Sequence, residues 1–164
     1  MDLGYLKIKI DIRAEHNSLK KKYDYKRKEL KKEEIKKIFD GFKEFFKSDG
    51  HFKFKENEHS IAAEYRDHAI KLDMDVYKNV DSPDFKIVGI IKTYEKDTFE
   101  FVAEGLCNKE MTLQPVEPDE NEKLVMESKL YQDFLDGEIK YDFVYSITGR
   151  EGEYDSIQAL LIAL

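Results

Sequence analysis

Asp142 is the residue with the clearest chemical promise. It lies in GEIKYDFVYSITG, residues 137–149, where Ile139, Tyr141, Phe143, Tyr145 and Ile147 alternate with Glu138, Lys140, Asp142, Val144 and Ser146. That period of two marks a strand. A carboxylate facing an aromatic-rich cleft suits a lipophilic cation, through charge and cation–π contact. The plainer reading is that Asp142 faces solvent on an amphipathic strand, as charged residues mostly do. Tyr141 and Tyr145 share the face opposite Asp142, so the three line one flat surface only if the strand twists or bulges.

Other reactive side chains fit ordinary positions. His51, His59 and His68, with Asp67 beside the last, match no compact metal-ligand spacing. Asp73 and Asp75 lie two apart and Asp11 is a possible third carboxylate for Mg²⁺, but alternation with Leu72 and Met74 explains the pair as an exposed strand face. Cys107 has no nucleophile signature around it, and TGREGE (148–153) lacks the strand–loop–helix context of a phosphate cradle. No enzyme motif emerges, and no metal or cofactor is expected.

The elements that must position these residues read as a repeat. GYLKIKIDI (4–12) alternates like a half-buried strand, AEHNS reads as a turn, and LKKKYDYKR (19–27) alternates weakly as a second strand. From Lys31, Ile35, Ile38, Phe39, Phe42, Phe45 and Phe46 follow helical spacing, and Asp49-Gly50 ends that helix. Strands are expected over 51–57, 59–65 and 69–77, then a loop over 79–84. After it the pattern restarts: a hairpin over 85–106, a helix through Leu124, Met126, Leu130, Tyr131, Phe134 and Leu135 ending at Asp136-Gly137, and a strand in EIKYDF. The closing SIQALLIAL takes the place of the last strand, although Ile157, Leu160, Leu161 and Leu164 also fit a helix capped by Asp155. The expectation is an α+β chain of two tandem β-β-α-β-β modules, 1–82 and 83–164, with antiparallel sheets and one helix packed on each.

Composition bounds the function. The 164 residues are 41% hydrophobic and 13% aromatic, a folded composition despite 38% charged residues. Net charge is −7, split unevenly: 20 Lys/Arg against 17 Asp/Glu through Ser82, and 8 against 18 beyond it. That balance argues against nucleic acid as a partner, with the basic run at 19–32 read as a solvated surface. A single cysteine gives no disulfide framework within the chain. No apolar stretch is long enough for a membrane span and no signal-peptide pattern opens the chain, so a cytoplasmic protein is expected.

The element order, the length, the midpoint loop and the strands closing each half resemble the gyrase-inhibitor-like small-molecule-binding domain. That domain also serves as the effector domain of bacterial multidrug-sensing transcription regulators. The resemblance implies two modules about a pseudo-twofold axis, with a groove between them for lipophilic, often cationic, molecules. KYDFVYSI resembles the strand carrying that family's groove carboxylate, which puts Asp142 in its place, and Phe99 falls where an aromatic lines the groove. There are departures. Asp142 stands for the more usual Glu, EKDT replaces a Pro-Ala-Gly-like turn, and no DNA-binding helix-turn-helix precedes the domain in this sequence. The expected function is non-catalytic binding of a lipophilic small molecule, preferably a cation, with Asp142 supplying charge and Phe99, Tyr141 and Tyr145 as aromatic walls. The alternative is an acidic protein-binding module, such as an immunity or inhibitor protein, acting on a basic partner protein.

Overall fold

The computed structural model describes residues 1–109 and 117–164. The chain opens with one 45-residue helix, α1 (Leu3–Lys47). Three strands follow, β1 (Lys53–Asn57), β2 (Ser60–Tyr65) and β3 (His68–Asp73), then a short helix α2 (Val76–Asp81). Strands β4 (Lys86–Lys92) and β5 (Thr98–Cys107) lead to α3 (Glu120–Leu135), β6 (Tyr141–Ile147) and α4 (Ile157–Ala163). The strands form one sheet in the order β1-β2-β3-β4-β5-β6, antiparallel from β1 through β5. The α+β class holds, but the described elements do not repeat as two β-β-α-β-β modules.

The expected strands at 4–12 and 19–27 are both helix. Leu6, Ile8, Ile10 and Ile12 alternate, yet the same residues fall on two helical stripes, Leu3/Leu6/Ile10 and Tyr5/Ile8/Ile12. Nothing between Leu3 and Lys47 breaks a helix except Gly4 and Gly41, and Lys, Leu, Glu and Arg favour one. AEHNS contains neither Gly nor Pro, so the turn expected there does not form. Downstream, the helix expected from Lys31 is the last part of α1, and Gly50 follows it at φ 82° in the left-handed conformation. The strand expected over 69–77 stops at Asp73. Asp75 caps α2 instead, its side chain accepting from the Lys78 N–H. The segment at 79–84 therefore contains the end of α2, and the chain on both sides of it lies in one compact unit.

Two units can be distinguished. Unit 1 comprises Met1–Arg27 and Cys107–Tyr141, and unit 2 comprises Lys28–Leu106 and Asp142–Leu164. In unit 1, α1 and α3 run in the same direction. Arg13 meets Glu120 at 3.4 Å, His16 Nε2 meets Glu127 at 2.6 Å, and the Tyr23 ring lies 4.5 Å from Tyr131 and 5.2 Å from Phe134. Lys26 Nζ donates to the Phe134 carbonyl at 2.5 Å, placing a cation on the open carbonyls at the end of α3. Burial raises the pKa of Tyr23 and of Tyr131, which keeps both phenols neutral.

Unit 2 holds the larger core. Ile35, Ile38, Phe42 and Phe46 line one face of α1 and pack with Ile61, Leu72, Ile87, Ile91, Phe101 and Ile147 from the sheet. The last segment is α4, not the expected strand. Its N-cap is Ser156, which accepts from the Ala159 N–H, and Ile157, Leu160 and Leu161 are its buried face. Gly41 explains how α4 fits. A Cβ at Gly41 would stand 2.6 Å from Ile157 Cγ2 and 2.7 Å from Gln158 Oε1. A mid-helix glycine costs about 1 kcal/mol against alanine, so the close approach of α4 is what it secures. Gly41→Ala should therefore destabilise unit 2 by about 2 kcal/mol, despite the better helix propensity of alanine. Urea denaturation followed by circular dichroism checks this, and an unchanged or raised midpoint would contradict it.

Candidate functional site

The four residues singled out in the sequence do not converge. Asp142 is exposed on the outer face of β6, as the plainer reading had it. Tyr145 is buried in the core of unit 2, where its hydroxyl donates to Glu34 of α1. Burial and that carboxylate push its pKa far above the ordinary phenol value. Tyr141 belongs to unit 1, edge-on to Phe134 with ring centroids 5.7 Å apart, and burial pushes its pKa up to about 12. Phe99 faces the core side of β5, with the Arg150 guanidinium 4.6 Å from its ring centre. His51 pairs with Asp49 at 3.0 Å and His68 stacks edge-on against Tyr94. Among the described residues, no three His, Cys, Asp or Glu side chains gather to hold a metal.

Unit 2 does contain a cleft, of about 950 Å³, over the outer face of the sheet beside α2. It exists because β3 and β4 part company. β3 pairs with β4 only through Lys71↔Lys92, Leu72↔Ile91 and Asp73↔Ile90. Beyond Asp73 the chain turns away into α2, leaving the Val88 backbone of β4 without a strand on that side. Asn79 replaces it: its Nδ2 donates to the Val88 carbonyl and its Oδ1 accepts the Val88 N–H, both at 2.9 Å. One amide side chain thus completes a ladder that an eighth residue of β3 would have made. His59 holds the other end of α2, its Nδ1 accepting the Val76 N–H at 3.2 Å, which places the ring proton on Nε2.

The rim is set from beneath by Lys31 of α1, whose side chain is fully buried. Its ammonium donates to the Asp84 carbonyl at 3.1 Å and reaches the Ser82 carbonyl and Asp84 Oδ1 at 3.4 Å each. Asp84 also accepts from Ser82 Oγ at 2.7 Å and from the Lys86 N–H at 3.0 Å. Partial burial acts to raise its pKa, but the Ser82 and Lys86 hydrogen bonds and the Lys31 charge outweigh it. The carboxyl stays below its ordinary value of 3.8.

Met74, Val88 and Ile90 give the cleft an apolar floor, and Tyr77 stands at its edge with its hydroxyl donating to Glu58. Four carboxylates line it, Asp73, Asp75, Asp84 and Glu100, against two amines, Lys78 and Lys86. Asp84 is already held by Ser82, Lys86 and Lys31, whereas Asp73, with Lys71 at 3.3 Å, and Glu100, with Thr148 Oγ1 at 3.1 Å, retain further acceptor capacity. Catalysis finds little support in this geometry. Ser82 is hydrogen-bonded to Asp84, a carboxylate held low, whereas a general base for neutral pH needs its pKa raised. The sequence carried one overlooked signal for this region, an N-cap pattern at Asp75 that ends β3 and starts α2.

Comparison with known proteins returns no match to a family model, a curated protein or a solved structure.

Asn79→Ala should cost about 1–2 kcal/mol by leaving the Val88 N–H and carbonyl to water, and should speed exchange of the Val88 amide in hydrogen-exchange measurements. Asp84 sets a pH window. Because its folded pKa is depressed, its stabilising effect is complete above the unfolded value and is lost as pH falls through the folded one. Wild type should therefore melt above Asp84→Asn at neutral pH, and the gap should begin to close as pH falls below about 3.8 and vanish only below the depressed folded value. A gap that persisted in acid would contradict this account of the carboxylate.

Proposed function

We propose that the protein is a non-catalytic receptor for a small amphiphilic cation, held in the cleft of unit 2. One observation carries the reading: an apolar floor is rimmed by Asp73, Asp75 and Glu100, carboxylates that keep open acceptor positions, at a volume within the range of small-molecule sites. An ammonium or guanidinium group would sit among the acceptors left open on Asp73 and Glu100. The apolar part of the ligand would cover Val88 and Ile90, with the Tyr77 ring available for cation–π contact. The carboxylate first expected to supply the charge, Asp142, lies outside this cleft, so the reading rests on the cleft alone. A second reading, an acidic surface for a basic partner protein, is favoured by residues 117–141, where eight carboxylates face three lysines.

The test is a thermal-shift series with phenethylammonium, N-phenethylacetamide and 3-phenylpropionate, run on wild type, Asp73→Asn, Glu100→Gln and Asp142→Asn. The cation alone should raise the melting temperature, since a ligand at 100 times its Kd adds about 2.7 kcal/mol of stability. Asp73→Asn and Glu100→Gln should reduce that shift, and Asp142→Asn should leave it intact. Loss of the shift in Asp142→Asn alone would move the site to β6. Equal shifts from the neutral or anionic compound, or none from the cation, would overturn the reading.

A further inference from the structure

The first turns of α1 present an unusual surface. Leu3, Tyr5, Leu6, Ile8 and Ile10 are exposed by 38–66% within eight residues. They stand on both sides of the helix, and a helix segment apolar on both sides is ordinarily a buried one. Their combined exposed area is on the order of 400 Å², the size of patch that marks an interaction site on a monomer. In unit 1, α3 begins at Glu120, level with Arg13, so residues 3–12 of α1 project past its start.

Where α3 begins, the exposed stripe runs into a groove. Tyr5, Ile8, Ile12 and Leu19 fall on one face of α1 at i, i+3, i+7 and i+14. Ile12 and Leu19 form one wall of a groove of about 290 Å³, and Val125 and Ser128 of α3 form the other. Val125 is half exposed there. The Ser128 side chain is about nine-tenths buried, and its hydroxyl has no hydrogen-bond partner among the described residues. Glu15, Lys129, Gln132 and Asp133 complete the lining, and a buried hydroxyl on such a wall is costly unless something enters to pair with it.

We propose that this surface joins two copies of the chain. The Tyr5/Ile8/Ile12 stripe of one α1 packs antiparallel on the same stripe of the other, so each bare helix tip lies in the groove of its partner. The arrangement is isologous: one patch is both donor and acceptor, which is what a twofold pair requires. Charge does not oppose it: Lys7 and Lys9 balance Asp2 and Asp11 on the tip, and Arg13 is already paired with Glu120 of its own α3. Two tips and two grooves together bury on the order of 1,000 Å², the lower bound for a specific interface.

Sedimentation equilibrium across a wide concentration range provides the test, on wild type and on a Tyr5→Glu/Ile8→Glu variant. Wild type should be dimeric, and the variant should dissociate about 100-fold more readily with unchanged circular dichroism and melting temperature at dilute concentration. A cross-link gives an independent readout. In a Cys107→Ser background, Ile8→Cys, at the centre of the antiparallel stripe, should form a disulfide-linked dimer under mild oxidation, whereas Lys21→Cys, off the stripe, should not. A wild type that stays monomeric at every concentration, or a dimer indifferent to both glutamates, would overturn the proposal.

Discussion

An ammonium ion cannot be dry without oxygens around it, and Lys31 is dry. Its cost of burial is met by the Ser82 and Asp84 carbonyls and the Asp84 carboxylate, all in the loop between α2 and β4. That requirement ties the middle of α1 to the far end of α2. With Lys31 at one end of α2 and the His59–Val76 bond at the other, a six-residue helix too short to persist alone is fixed against β4. The cleft is the space this arrangement leaves over the outer face of the sheet. An apolar residue at position 31 would fill the same volume but would give the loop no reason to turn inward.

The same long helix serves two environments because its faces change along its length. Up to Arg27 it offers aromatic and charged partners to α3: His16 to Glu127, Tyr23 to Tyr131 and Phe134, Lys26 to the end carbonyl. Beyond Lys28 it turns an aliphatic and aromatic row, Ile35 to Phe46, onto the sheet. Helix length by itself is about 67 Å at 1.5 Å per residue, far beyond what either set of contacts needs. Continuity of the helix is thus a consequence of local propensity, and tertiary burial chooses which side is used at each level.

Much of the sheet was legible because its alternation has no helical counterpart: Ile87, Gly89 and Ile91 inward against Lys86, Val88 and Ile90 outward leave one interpretation. The opening of the chain was not legible for the opposite reason. Leu6, Ile8, Ile10 and Ile12 satisfy a period of two and, as two stripes, a period of 3.6, and only the absence of a breaker at 14–18 tips the balance. SIQALLIAL posed the same choice, and burial of Ile157, Leu160 and Leu161 against α1 decided it. The cleft was harder still. Its walls come from His59, residues 73–90 and Glu100, which are brought together only by the departure of β3 from β4. Asp73 and Asp75 were visible as carboxylates, but nothing in their alternation reveals that α2 would roof the face they point to.

The amide of Asn79 has a consequence for how the sheet meets other polypeptides. An open strand edge recruits foreign strands, and the stretch of β4 abandoned by β3 would be such an edge in the middle of the molecule. Asn79 occupies it with both a donor and an acceptor. On β6, Tyr145 bridges to Tyr154 through two backbone hydrogen bonds, so that margin is partly covered as well. What is left for strand addition is β1, five residues long and carrying Lys53 and Lys55. Short length and edge lysines disfavour cross-strand growth there. The six-stranded sheet thus offers few open backbone groups to a foreign strand, with one amide side chain closing the gap that β3 leaves.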